Sequence, residues 1–350
     1  MTGLPHEQHY SAEDLAWTRQ LPKIELHAHL NGSIRQSTLQ ELAAAAGLDA
    51  GEAHIQHGDD RSLSEMFAVF STVHQSIRGP TVLRRVTREV LEDFAADGVV
   101  YLELRTTPRR HEEHNMSKQD YVESALAGFD DYRLQAQGTC HARLLLSIDR
   151  SDPPETALET VQLALKYRNR GVVGVDLSGN PIKGVWSSWA PALHTARDAG
   201  LKITLHAGEV QDDDQMSSML DFKPDRFGHC CFLNSAHQTR LKELKIPLEL
   251  CLSSNVLSRS VSSYAQHNFT SYYDPSADLA TLEHPIALGT DDSLIFDTTL
   301  SLEVAIAMSV FGLQRNQVVA LQLSALKASF LDGKGGIRQS LERRLRGCMV

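Results

Sequence analysis

Residues 23–29 read Lys-Ile-Glu-Leu-His-Ala-His, a short β-prone run whose last three residues carry two histidines. Side chains alternate along a strand, so His27 and His29 fall on one face at its C-terminal end. Seven more runs of this kind follow, at 99–105, 142–149, 172–177, 202–206, 226–228, 247–252 and 286–290. Amphipathic stretches separate them. In one, Leu83, Val86, Val90 and Phe94 recur at spacings of three and four, which places them on one helical face. Residues 155–168, 191–200 and 236–245 follow the same pattern, and 37–46 and 64–75 predict two further helices after the first strand. Helices at 300–311 and 315–331 close the chain. Eight strands alternating with helices predict an α/β fold, a parallel (β/α)8 barrel with additional helices after strand 1 and at the C-terminus. An open doubly wound sheet is the alternative, but its dinucleotide form needs a GxGxxG turn that is absent here. Residues 1–20 read as a lead-in or first short helix, and 21–350 as a single domain without a Pro/Gly-rich linker.

Composition narrows the function. The 350 residues carry 34 basic and 44 acidic side chains, a net charge of −10, which argues against a scaffold for nucleic-acid polymers. One phosphate in a local basic pocket stays compatible with that balance. No apolar run approaches a membrane span, and no signal peptide opens the sequence. Five cysteines without paired CxxC spacing suit a reducing compartment. The expectation is a cytosolic enzyme, monomeric, free of membrane partners.

In a barrel of this type the site gathers where the strands end. Strand 1 ends at His27 and His29, strand 5 at His206, and strand 8 runs out through Thr290, Asp291 and Asp292. Each residue alone has a bland account, a core histidine or a turn carboxylate. Together, three histidines and one carboxylate make a ligand set for a single Zn²⁺ with one position left for water. Glu209, three residues past His206, could move a proton between attacking water and substrate; a lone exposed loop acid is its other reading. His229 ends strand 6 and could orient the nucleophile, or be structural. Asp292 should face differently from Asp291, suiting it to polarise the nucleophile or to hold a ring nitrogen. Strand 2 runs into Thr106-Thr107-Pro108-Arg109-Arg110, where phosphate cradle and solvated basic turn both fit the composition.

The succession His-x-His, His-Ala-Gly-Glu (206–209), Gly-His (228–229) and Thr-Asp-Asp (290–292) resembles the adenosine deaminase branch of the amidohydrolase superfamily, from about residue 21 through the closing helices. That resemblance implies one Zn²⁺ on His27, His29, His206 and Asp291. It also implies Glu209 as proton donor to a purine, with His229 and Asp292 around the attacking hydroxide and the Gly179 backbone against the purine. Adenosine deaminases commonly carry Asp where this chain has Asn31. His-Ala-His-Leu-Asn-Gly-Ser, Leu-Arg-Thr-Thr-Pro-Arg and Glu-Leu-Cys-Leu-Ser-Ser-Asn are similar instead to the adenosine deaminase-like members that act on N6-methyl-AMP. On that likeness, His29, Asn31, His74, Thr106, Thr107, Pro108, Arg109, Asp149, Gly179 and Asp292 are expected to contact substrate. The implied reaction is hydrolytic deamination of N6-methyl-AMP, or of other N6-substituted purine nucleoside monophosphates, to IMP and an amine. A nucleoside-specific adenosine deaminase and a catalytically inert zinc-bearing nucleotide sensor are the rivals.

Overall fold

The computed structural model describes residues 9–49, 63–135, 139–273, 284–333 and 336–349. Eight strands, β1 (Lys23–His29), β2 (Val99–Thr106), β3 (His141–Asp149), β4 (Val172–Ser178), β5 (Lys202–Ala207), β6 (Arg226–His229), β7 (Leu248–Leu250) and β8 (Ile286–Leu288), form one sheet in chain order. Every pairing from β1 to β8 is parallel. The expected (β/α)8 barrel is what forms. Its last seam is closed by a single residue: Asp291 N–H bonds to His27 C=O at 2.8 Å, and His29 N–H to Asp291 C=O at 2.9 Å.

Helices α1 (Ala12–Gln20), α2 (Gln36–Ala45), α3 (Leu63–Ser76) and α4 (Pro80–Ala96) surround the first strand and its long connection. The α4 face anticipated from spacing is the buried one, with Leu83, Val86 and Val90 fully covered. Helix α5 (Lys118–Gln135) is absent from the expectations above. It begins with a reciprocal cap, Ser117 Oγ accepting from Asp120 N–H and Asp120 Oδ2 accepting from Ser117 N–H. Gly128 inside it argues against a helix locally, yet a Cβ there would stand 2.7 Å from the Arg84 carbonyl oxygen of α4. Close helix packing explains the glycine. Around the remaining strands stand α6 (Pro154–Lys166), α7 (Trp186–Asp198), α8 (Asp213–Phe222), α9 (Ser235–Leu244), α10 (Leu252–Leu257) and α11 (Phe269–Tyr272). Helices α12 (Leu300–Phe311), α13 (Arg315–Ala328) and α14 (Ile337–Arg346) finish the chain, α14 being a further helix beyond those expected. Among the described residues no helix is long and apolar enough to cross a membrane.

Barrel interiors are usually filled by branched aliphatics. Here Glu25, Glu103, Arg105, Asp176, Arg226 and Glu249 are all fully buried on the strands. Buried charges are tolerated only when paired and hydrogen-bonded. Arg105 bonds Glu249 (2.7 Å), Asp176 (3.3 Å) and the Leu26 carbonyl (2.5 Å), while Arg226 bonds Glu103 (2.5 Å) and the far oxygen of Glu249. This ionic lattice lies directly below the strand ends.

Candidate active site

His27, His29, His206 and Asp291 come together at the C-terminal mouth, each offering one ligand atom, all within 4.8 Å of one another. His27 and His29 arrive there by alternation on β1, and His206 from the next-to-last position of β5. Asp291 does not lie on a strand. The eighth strand ends at Leu288, two residues short of the 286–290 expectation, because the Thr290 N–H and hydroxyl turn to Glu25 Oε2, each at 3.0 Å. Asp291 then takes a left-handed backbone, φ 61°, and His229 does the same at the end of β6, φ 62°. Non-glycine residues rarely adopt this region unless their surroundings impose it.

Outer partners set the histidine tautomers. His27 Nδ1–H donates to Glu249 Oε2 at 2.7 Å and His206 Nδ1–H to Asp176 Oδ1 at 3.0 Å, leaving both Nε2 lone pairs facing inward. His27 Nε2 is buried without a hydrogen-bond partner. Around it, Nε2 of His29 stands 3.1 Å from Nε2 of His206 and 3.3 Å from Asp291 Oδ1, and His27 Nε2 lies 3.4 Å from that same oxygen. Two bare imidazole nitrogens at that range repel. A tetrahedron with bonds of about 2.0–2.1 Å has edges of about 3.3 Å. The donor set therefore fits a small divalent metal. Ser254 Oγ–H steadies the remaining oxygen, Asp291 Oδ2, at 2.6 Å.

Three further groups face this cluster. Glu209 Oε2 is buried without a partner, and burial raises its carboxyl against the opposing charges of His229 and Arg150. Asp292 is raised to about 8 by burial and by the adjacent Asp291 charge, and its Oδ1 is unpaired. A Cβ on Gly32 would fall 1.7 Å from that Oδ1, so only glycine leaves it room. His229 Nε2 stands 3.9 Å from Asp291 Oδ2.

The cluster opens into a cleft of about 1200 Å³ lined by His29, Asn31, His74, Thr106, Thr107, Arg109, Asp149, Gly179, Glu209, His229, Asp291 and Asp292 among others. Pro108 is buried in the same turn and is not part of that lining. Thr106 shares a hydrogen bond of 2.8 Å with Tyr121, whose hydroxyl donates to Asn31 Oδ1 at 3.3 Å. Arg109 Nη2 reaches Asp149 Oδ2 at 3.3 Å, a long contact. His74 is pushed down to about 3 by burial and by the neighbouring charges of Arg109 and His111, so it is neutral near pH 7. Glu112 and Glu113 line the cleft too, as do Arg78, His111 and His114. Sequence reasoning missed these three, Tyr121 and the carboxylates Asp176 and Glu249. The last two carried a signal: a lone charge inside an otherwise apolar strand.

The profile of a family described as adenosine deaminase matches residues 22–343. The N6-mAMP deaminase of Arabidopsis thaliana is 44% identical over 352 residues, 93% of this chain and 97% of that one. The N6-Methyl-AMP deaminase of Homo sapiens is 40% identical over 324 residues, 89% of each chain. A crystal structure of Arabidopsis ADAL complexed with IMP superimposes with a TM-score of 0.87 at 44% identity, over 95% of this chain and 98% of that chain.

Proposed function

Because the chain belongs to the adenosine deaminase family and is a hydrolytic deaminase acting on a purine C–N bond, we propose that it converts N6-methyl-AMP to IMP and methylamine. The observation that carries this reading is a metal-type donor cluster that shares one cleft with Arg78, Arg109 and His111. A purine nucleoside monophosphate presents its reacting carbon and its phosphate at opposite ends. We assign one Zn²⁺ to His27, His29, His206 and Asp291. When bound, it supplies a Lewis acid that brings the pKa of a coordinated water toward neutrality.

The chain's own groups do the rest. Glu209 holds a proton at an unpaired, buried Oε2 and delivers it to purine N1, so that C6 accepts water. His229 and Asp292 face the same point and orient the attacking oxygen. A C6–O bond forms, the C6–N6 bond breaks, and methylamine leaves with a proton. The Gly179 backbone lies along the base, where its φ of 93° and a would-be Cβ 2.4 Å from Asp149 Oδ1 demand glycine. Thr107 and Arg109, with His74 neutral beside them, hold the phosphate, and Asn31 and Asp149 stand at the sugar side.

Turnover of N6-methyl-AMP, AMP, N6-methyladenosine and adenosine, measured side by side with products identified, tests this. N6-methyl-AMP should be the best substrate and yield IMP and methylamine in equal amounts. A preference for either nucleoside would overturn the substrate assignment.

A further inference from the structure

His229 has one ring nitrogen toward the ligand cluster and the other toward α10. On that outer side Asn255 Nδ2 lies 3.0 Å from His229 Nδ1, and His267 Nε2 lies 3.1 Å from Asn255 Oδ1. The chain ends on a main-chain donor, Phe269 N–H, 3.0 Å from His267 Nδ1. All three side chains are buried, at 2%, 2% and 0% exposure for His229, Asn255 and His267. Little of these side chains is open to water that could substitute for a wrongly directed proton.

A peptide N–H can only donate, so it fixes each link in turn. His267 Nδ1 must accept, which puts the proton of this neutral ring on Nε2; burial also holds the ring neutral, its pKa pushed down to about 3. His267 Nε2–H must then meet an acceptor, which can only be Asn255 Oδ1. The ambiguity between oxygen and nitrogen in that amide disappears. Asn255 Nδ2–H is left to donate to His229 Nδ1, so His229 carries its proton on Nε2, the atom facing Asp291 at 3.9 Å. The opposite tautomer would point Nδ1–H at an amide NH₂. The same segment grips the left-handed turn itself, since Asn268 Nδ2 donates to the carbonyls of His229 (2.8 Å) and Cys230 (2.9 Å).

We propose that the relay Phe269 N–H, His267, Asn255 locks His229 as an Nε2–H donor, making Asn255 and His267 positioning residues and excluding His229 as the base that takes a proton from the attacking water. This deepens the proposed function and rests on His229 facing the reacting atoms. His229 gives a hydrogen bond to the incoming oxygen and does not take its proton.

The test uses metal-loaded protein labelled with ¹⁵N-histidine. In the wild type, His229 should show a protonated Nε2 and an unprotonated Nδ1, a result independent of any variant. The reverse pattern overturns the proposal. Asn255→Asp keeps the shape but removes the donor, so His229 should switch to Nδ1–H and kcat on N6-methyl-AMP should fall about 10–100-fold with KM nearly constant. His267→Gln, which can still donate to Asn255, should keep most of the turnover that His267→Phe loses. Unchanged kcat in folded, metal-replete Asn255→Asp refutes the relay. His229→Ala separates the two claims. Full activity in that variant removes His229 from the reaction whatever tautomer it holds, whereas a dead His229→Ala beside an active Asn255→Asp leaves the site reading standing and sinks the relay.

Discussion

Glu249→Gln is the sharpest probe of how the barrel interior supports the site. Glu249 is fully buried and both of its oxygens receive only donors. Oε2 accepts from His27 Nδ1–H and Arg105 Nη2, each at 2.7 Å, while Oε1 accepts from Thr204 Oγ1 at 2.9 Å and from Arg226 Nε. Glutamine has a single oxygen. Either orientation of its amide therefore sets an NH₂ against one of the two guanidiniums, and the buried negative charge between them is lost. Arg105 retains Asp176 and Arg226 retains Glu103, so neither arginine is stripped bare. Breaking one side of a buried ion pair typically costs about 3–5 kcal/mol. The His27 bond also changes from a carboxylate acceptor to a neutral amide, and outer partners of metal ligands are commonly worth about 10–100-fold in metal affinity. Metal-free protein should lose that stability in urea titrations, read as midpoint shift times slope. Chelator competition should report the weaker metal. Thr204→Val serves as control, because it deletes one hydroxyl bond of about 1 kcal/mol and leaves every charge in place. A Glu249→Gln variant within about 1 kcal/mol of wild type, with unchanged metal affinity, would refute the argument that this carboxylate links stability to metal binding.

Wild type purified without chelator should carry one zinc per chain, and His206→Ala should lose most of it; metal analysis by mass spectrometry decides, and fully active metal-free protein would sink the metal assignment. Glu209→Gln should keep its metal and lose most turnover, because the amide retains shape without a transferable proton, so near-normal rates would remove Glu209 from proton transfer. Arg109→Ala should reduce kcat/KM on N6-methyl-AMP by roughly one to two decades, corresponding to about 1.5–3 kcal/mol for a charged hydrogen bond, while sparing N6-methyladenosine. Because Asp149 lies 3.3 Å from Arg109, the Arg109→Ala/Asp149→Asn double variant should be compared with it. Recovery there would assign part of the loss to a released carboxylate, and equal losses on nucleotide and nucleoside would show that Arg109 does not read phosphate.

Local periodicity made much of this molecule legible from its sequence. Alternation on β1 put His27 and His29 on one face, and the succession of strands and amphipathic helices announced the barrel. It also placed His206 and His229 at the ends of β5 and β6, since strand position is a property of a few neighbouring residues. Helix α5 stayed hidden because Gly128 weakens the local signal, and only the close approach of α4 accounts for it. Asp291 was placed beyond the last strand candidate, but not its manner of arrival. Its left-handed turn and its backbone bonds to His27 and His29 exist only once β8 returns beside β1. The same holds for Glu249 and Asp176 behind the histidines, and for the Phe269–His267–Asn255 chain behind His229. A sequence determines which way a side chain points from its own strand, because that period is local. Ring closure determines what it meets there, because the partners come from distant elements, as Thr290 does for Glu25 from 265 residues away.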